Sequence, residues 1–274
     1  MDSAKQHTHE PTISILMGIY NCATTLDEAI SSIMAQTFTD WEMILCDDGS
    51  TDNTVQVAMK YVTALPDKFK LLRNPHNVGL NQTLNNCLAV AQGEYIARMD
   101  GDDLCVPTRF AKELEILKSH PEIDIVSSDM AFFDNNGTWG HTDMKETPQP
   151  KDFCNGTQFC HAACLVRKKA YDTVGGYSVD NKLLRVEDYH LWVKMYEHGY
   201  RGINIKEPLY LMRDDRNAQG RRKFKYRLNE SYVRAYAVRH LKLSKLNYIY
   251  CLRPILVGLL PAFIYKALHR MRNR

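Results

Sequence analysis

Two glycine signatures of common nucleotide-binding folds are missing. The 274-residue chain has no G-x-G-x-x-G and no G-x-x-x-x-G-K-[ST]. Readings as a dinucleotide-binding oxidoreductase or a P-loop ATPase therefore lose their mechanism. No two of its eight cysteines stand in C-x-x-C spacing, and most lie inside apolar runs. Reduced, buried thiols are the expectation. Cys160, His161 and Cys164 lack a fourth ligand at zinc spacing, so no zinc site is expected. Residues 1–11 are polar without an apolar core; they read as a disordered N-terminus rather than a signal peptide, which points to the cytosol. Internal repeats and low-complexity tracts are absent too.

Hydrophobic residues make up 45% and charged residues 24%, the balance of a globular chain with ample length for a core. The net charge of +3 conceals an uneven distribution: residues 201–274 carry 18 Lys and Arg against 4 Asp and Glu, so an acidic body is followed by a basic tail.

The first hundred residues alternate short apolar runs with helical periodicity. Strands are expected at 13–17, 42–46, 69–72 and 94–99. Helices are expected between them, with Leu26, Ala29, Ile30, Ile33 and Met34, then Val55, Ala58, Met59 and Val62, then Leu80, Leu84, Cys87, Leu88 and Ala91 on their buried faces. Thr24 or Thr25 caps the first helix and Asp52 the second. Such alternation implies an α/β fold with a parallel sheet and helices on both faces. Further on, Pro107 opens a helix to about Ser119, 123–127 is a strand, Asn135-Asn136-Gly137 turns a hairpin, and 140–157 is a polar loop over the site. A strand at 159–166, a turn at Gly175-Gly176 and a helix at 187–198 follow.

Ligands of such sheets bind at the carboxyl ends of strands. Three of the first four strands end in conspicuous polar residues: Tyr20-Asn21, Asp47-Asp48 and Asp100-Gly101-Asp102-Asp103. The last group places three carboxylates within four residues. They repel one another unless a cation lies between them, and a few hard oxygens suit Mg²⁺ or Mn²⁺ shared with a phosphate. A plain N-cap cluster for the following helix is the competing reading. Asp47-Asp48-Gly49-Ser50-Thr51-Asp52 is either a tight turn or an acceptor for a base N–H or a ribose hydroxyl. Glu187-Asp188 opens an amphipathic helix, where acids stabilise any first turn; the functional alternative is a general base.

Together, Ile-Leu-Met-Gly-Ile-Tyr-Asn (15–21), Cys-Asp-Asp-Gly-Ser-Thr-Asp (46–52), Asn-Val-Gly-Leu (77–80), Gly-Glu-Tyr-Ile-Ala-Arg-Met-Asp-Gly-Asp-Asp (93–103) and Glu-Asp-Tyr-His-Leu-Trp (187–192) resemble family 2 glycosyltransferases, above all bacterial enzymes of exopolysaccharide and capsule assembly. The resemblance runs in order over about residues 12–213. It implies a GT-A (nucleotide-diphospho-sugar transferase) fold, Rossmann-like, with a mixed, mainly parallel sheet flanked by helices. It also implies inverting transfer from a nucleotide-sugar, UDP favoured on family frequency, to a polyprenyl-linked or other glycan acceptor. Gly18, Tyr20, Asp47, Asp48 and Asn77 would then line the nucleoside, while Asp100 and Asp102 would hold Mn²⁺ or Mg²⁺ and the diphosphate. Asp188 would deprotonate the acceptor, Glu187 would orient it, and His161 and Trp192 would lie beside it. Gly18 stands where the family often has Pro, and His190 where it often has Asp.

Residues 12–215 are expected to form the GT-A domain and 216–274 a basic helical extension. The run Arg221-Arg222-Lys223-Phe224-Lys225-Tyr226-Arg227 invites a nucleic-acid reading, but an apolar stretch follows it. The longest uncharged part of that stretch, 254–265, has 12 residues, well short of the ~20 a spanning helix needs. A helix lying on the cytosolic face of the membrane fits better; a core-docking helix with a solvated basic end is the alternative. No nucleic-acid partner is expected. Two other functions stay open: a nucleotidyltransferase, which leaves Glu187-Asp188 unexplained, and a non-catalytic or bifunctional protein-interaction module.

Overall fold

A computed structural model describes residues 10–214 and 223–259. The expected disorder at 1–9 and the apolar and basic residues from 260 onward lie outside the described residues, as do Arg221 and Arg222.

Among the described residues nine strands form one sheet: β1 (Ile13–Ile19), β2 (Trp41–Asp47), β3 (Phe69–Arg73), β4 (Tyr95–Arg98), β5 (Leu104–Cys105), β6 (Ile125–Asp134), β7 (Gly137–His141), β8 (Leu165–Arg167) and β9 (Gly202–Arg213). Their spatial order is β3-β2-β1-β4-β8-β6-β9-β5, with β7 beside β6. The expected parallel arrangement covers β3-β2-β1-β4. Beyond β4 the sheet is mixed: β8 runs antiparallel to both β4 and β6, and β9 returns parallel to β6.

Strand alternation divides the apolar residues between two faces. Ile13, Ile15, Met17 and Ile19 of β1 join one core with α1 (Leu26–Met34) and α4 (Arg109–Ser119), and with Ala58 of α2 (Thr54–Ala64). Leu16, Ile44 and Ile96 join the other with α3 (Leu80–Leu88), α5 (Lys168–Val174) and α6 (Glu187–Glu197). Val233, Ala237 and Val238 of α7 (Phe224–His240) belong to this second core. The chain ends its described part in a 3-10 turn, Lys245–Cys251, and α8 (Leu252–Gly258).

Several expectations need correction. Met34 and Met59 are exposed, because the buried stripes of α1 and α2 are narrower than their apolar periodicity. Asn53, not Asp52, is the N-cap of α2; Asp52 instead accepts a hydrogen bond from the Thr54 amide at 3.0 Å. The strand expected at 159–166 shrinks to β8, since a 3-10 turn at His161–Ala163 interrupts it. Helix α5 was not expected; Gly175 ends it in the left-handed conformation, φ 69°.

Candidate active site

The first strand ends interlock through side chains. Asn21, at φ 48°, accepts a hydrogen bond from the Thr51 amide (2.9 Å), and its own amide donates to Ser50 Oγ (3.0 Å). Asp48, at the exit of β2, is buried and accepts from Asn74 Nδ2 (2.9 Å), the Val78 amide (2.8 Å) and the Gly79 amide (3.0 Å). It therefore ties β2 to the loop that carries Asn77 into α3. Gly49, at φ 78°, lies under that loop: a Cβ there would sit 2.9 Å from the Asn77 nitrogen. Asp47 accepts from the Ser50 amide at 3.2 Å. Its buried Oδ2 has no hydrogen-bond partner among the described residues and lies 3.6 Å from Arg73 Nε. Tyr20 is half exposed and Asn77 exposed beside this corner, while Gly18 packs against Thr83 and Leu80 of α3. Gly18, Tyr20, Asp47, Asp48 and Asn77 are thus gathered at one corner.

At the end of β4 the three aspartates diverge in role. Asp103 is buried, with Oδ2 accepting from Tyr210 Oη (2.9 Å) and Oδ1 from the Arg213 amide (2.7 Å). Burial and the charges of Asp100 and Asp102 push its carboxyl up to about 7. Asp102 is exposed as a residue; partial desolvation and Asp100 raise its carboxyl. Asp100 is held by Arg98 Nη2 at 2.5 Å, and its amide donates to Tyr210 Oη at 3.2 Å. Thr25 Oγ1 donates to the Gly101 carbonyl at 2.9 Å, pinning the turn to the start of α1.

This crowding bears on the implied cation. Asp103 is committed to the protein, which leaves Asp100 and Asp102 as hard-oxygen donors whose mutual repulsion a divalent ion would relieve. No group of three or more His, Cys, Asp or Glu among the described residues could cage a metal. The residues therefore fit an ion that takes two carboxylates from the protein and the rest of its shell from a diphosphate and water, as Mg²⁺ and Mn²⁺ do.

The second carboxylate pair begins α6. Asp188 Oδ2 accepts from Thr157 Oγ1 at 3.4 Å, so the end of the polar segment 140–157 does reach this position. Burial, then the neighbouring Glu187, pushes Asp188 up to about 6. Glu187 Oε2 is buried without a hydrogen-bond partner among the described residues. His161 Nε2 lies 2.6 Å from Tyr177 Oη, and burial followed by the Arg98 charge holds its ring well below the ordinary histidine range. Trp192 corrects an expectation: it is fully buried, edge-on to Phe159 and to His161, so it supports His161 from within the core rather than offering a face to a sugar.

Arg98, Thr157, Tyr177 and Tyr210 were missed by sequence reasoning. Only Arg98 left a signal: a cation in an apolar strand, two residues before the carboxylate turn. His190, where the family often has Asp, packs its ring 4.5 Å from Tyr236 of α7.

A mixed sheet with an acidic turn closing β4, and a second carboxylate pair opening a helix beside the same buried arginine, is the layout of a GT-A glycosyltransferase. Residues 14–175 match the family described as Glycosyl transferase family 2, and the chain belongs to that family. It is an enzyme of the transferase class. Putative glycosyltransferase EpsE of Bacillus subtilis (strain 168) is 40% identical over 262 residues, which cover 96% of this chain and 94% of the relative. An Escherichia coli protein, UDP-Glc:alpha-D-GlcNAc-diphosphoundecaprenol beta-1,3-glucosyltransferase WfgD, is 27% identical over 183 residues, 67% of this chain and 69% of its own. Among solved structures, S. aureus TarS 1-349 in complex with UDP-GlcNAc superposes with a TM-score of 0.67 at 18% identity, covering 90% of this chain and 71% of that one. At that identity the likeness speaks for the fold.

Proposed function

We propose that the protein is an inverting glycosyltransferase of cell-surface polysaccharide assembly, moving a sugar from a nucleotide-sugar, UDP favoured, to a hydroxyl of a polyprenyl-diphosphate-linked glycan. The observation that carries this reading is the presence of two carboxylate pairs, Asp100 with Asp102 and Glu187 with Asp188, within the electrostatic reach of the same buried Arg98. The name of WfgD supports the UDP-sugar and lipid-linked acceptor. Asp47, Tyr20 and Asn77 border the nucleoside, and Asp48 and Gly18 shape the loop and strand end around it. Asp100 and Asp102 would hold a divalent ion, which when bound would supply a Lewis acid for the departing diphosphate.

The chain's own chemistry centres on Asp188. A carboxylate near pKa 6 is ionised at neutral pH yet more basic than an ordinary aspartate. It takes the proton of the acceptor hydroxyl as that oxygen bonds to the anomeric carbon. The bond to the diphosphate breaks on the opposite face, which inverts the configuration in one displacement. His161, kept neutral, offers Nδ1 to the acceptor while Tyr177 fixes Nε2. Glu187 orients the acceptor.

Attachment to the cytosolic membrane face is part of the proposal. No helix among the described residues is long and apolar enough to cross a membrane. Leu246, Ile249, Leu252, Leu256 and Leu259 are exposed alongside Lys245 and Arg253 on the last described elements, a mix that suits an anionic bilayer surface. The catalytic unit then extends beyond the expected boundary at 215 to include α7, which packs into its core, and the attachment unit is the segment beyond Ser244.

A thermal-shift screen of UDP, GDP, dTDP and CMP with and without Mn²⁺ tests the donor assignment, since a ligand bound only by the folded state raises Tm. UDP should raise it in a Mn²⁺-dependent way. Indifference to all four nucleotides would overturn the reading and favour an interaction module.

A further inference from the structure

Arg98 ends β4 with its backbone fixed: its amide donates to the Cys164 carbonyl (3.3 Å), and its own carbonyl accepts from Arg109 Nη1 (3.2 Å). Its side chain is only 8% exposed. A buried guanidinium has five N–H donors and ordinarily satisfies them by forked pairing. Here one donor reaches Asp100 Oδ1 at 2.5 Å, while Nε is buried with no hydrogen-bond partner among the described residues. The same cation acts electrostatically on Glu187, Asp188, Tyr177 and His161. Glu187 Oε2 is likewise buried and without a hydrogen-bond partner among the described residues. An under-coordinated cation thus grips one of the two carboxylates proposed to hold a divalent ion.

We propose that Arg98 is a positioning residue: it holds Asp100 on a built-in positive charge and competes with the divalent ion for that carboxylate. The inference rests on the proposed ion site at Asp100 and Asp102. Competition follows from elementary electrostatics. A monovalent cation beside a divalent site opposes the incoming charge, and a low-dielectric surrounding strengthens the opposition. In exchange, Asp100 and Asp102 are not left as two uncompensated carboxylates when the ion is absent.

Removing the charge should therefore do two opposite things. Binding of Mn²⁺ to the nucleotide-free protein should tighten, by ~10-fold, as read from the paramagnetic resonance signal of free Mn²⁺ during titration. Sugar transfer should weaken, chiefly in kcat, because Asp100 loses the anchor that fixes its orientation. Arg98→Met removes charge and hydrogen bond together. Arg98→Gln removes the charge and keeps a donor for Asp100, so it carries the same test should the methionine variant not fold. Arg98→Lys keeps the charge and should bind Mn²⁺ close to the parent. A purely structural arginine would lower Tm and weaken Mn²⁺ binding and transfer together; that outcome, or unchanged Mn²⁺ affinity in a folded Met or Gln variant, overturns the proposal. Asp102→Asn separates the two levels of the argument. If it binds Mn²⁺ as the parent does, the ion site itself fails, and the Arg98 proposal with it. If it loses Mn²⁺ while the Met and Gln variants show no tightening, Arg98 alone is refuted.

Discussion

Asp48 Oδ1 accepts the Val78 amide proton across 2.8 Å, joining the end of β2 to a loop thirty residues downstream. With Asn74 Nδ2 and the Gly79 amide it makes one buried carboxylate the organiser of the nucleoside corner. Asp48→Ala would leave the Val78 and Gly79 amides without an acceptor and Asn74 Nδ2 with Thr83 Oγ1 alone, each orphaned donor costing ~1–3 kcal/mol where water cannot replace it. The variant should lose about 3 kcal/mol in urea unfolding and bind UDP poorly. Asp48→Asn keeps one acceptor oxygen and should fall between the two. An alanine variant as stable as the parent would mean that the loop holds itself.

Asp102 is the contrasting case, an exposed carboxylate whose backbone carbonyl, not its side chain, is bonded to Arg213 Nε at 2.9 Å. Asp102→Asn should change stability by no more than ~0.5 kcal/mol, as surface substitutions usually do. It should abolish the Mn²⁺-dependent part of UDP binding in calorimetric titration. Metal-dependent affinity that survives the change removes Asp102 from the ion site.

The strands β1, β2 and β4 and the three polar turns at their carboxyl ends could be read from sequence because apolar runs broke off abruptly into Tyr20-Asn21, Asp47-Asp48 and Asp100-Gly101-Asp102-Asp103. What stayed hidden depends on partners distant in the chain. Asp103 meets Tyr210 across 107 residues, and no local pattern distinguishes it from Asp100 or Asp102. The fate of Trp192 was equally hidden, since helical spacing places it on the Asp188 face but cannot tell a lining residue from one sealed beneath Phe159 and His161. Met34 and Met59 show the same ambiguity outward: periodicity marks a face, and packing alone sets its width.

The C-terminal region should divide in function near residue 244. Helix α7 is fastened by Val233, Ala237 and Val238, and by Arg234, which donates to the Cys154 and Asn155 carbonyls. A chain ending before Phe224 should therefore fail to fold. A chain ending at Ser244 keeps those contacts and, among the described residues, loses the bonds of Ser231 and Arg234 to the segment beyond and the packing of that segment on α7. It should stay folded with a slightly lower Tm and no longer pellet with anionic liposomes. Each cation near such a surface is worth ~1 kcal/mol, so raising salt should release the full-length protein in the same assay. A full-length chain that stays in the supernatant at low salt assigns this region a structural role only.

Asp188 should set activity and stability against each other. Its carboxyl is pushed up to about 6, mainly by burial and then by Glu187, while in the unfolded chain it titrates near ~4. A folded-state pKa raised in this way means that the neutral form is the one the fold favours. The associated stability is present at low pH and is lost as pH rises through about 6. At neutral pH the ionised carboxylate thus costs the fold something up to ~3 kcal/mol. Asp188→Asn keeps the shape and the Thr157 contact but never carries that charge. It should be ~1–3 kcal/mol more stable than the parent at pH 7.5, and the two should converge below pH ~4. Transfer should behave oppositely. In the parent, kcat/KM should fall about tenfold per pH unit below about 6, as the base becomes protonated. In Asp188→Asn, turnover should drop ~10²-fold or more with UDP affinity nearly unchanged, because an amide cannot take the acceptor proton. Glu187→Gln should disturb the chemical step less, since adjacent positions on α6 point in different directions. Chemical denaturation across pH, set beside single-turnover rates for the same proteins, reads both effects. An asparagine variant that transfers sugar within a few-fold of the parent refutes Asp188 as the base. One that is slow and also less stable at pH 7.5 makes the residue a support of the α6 first turn instead.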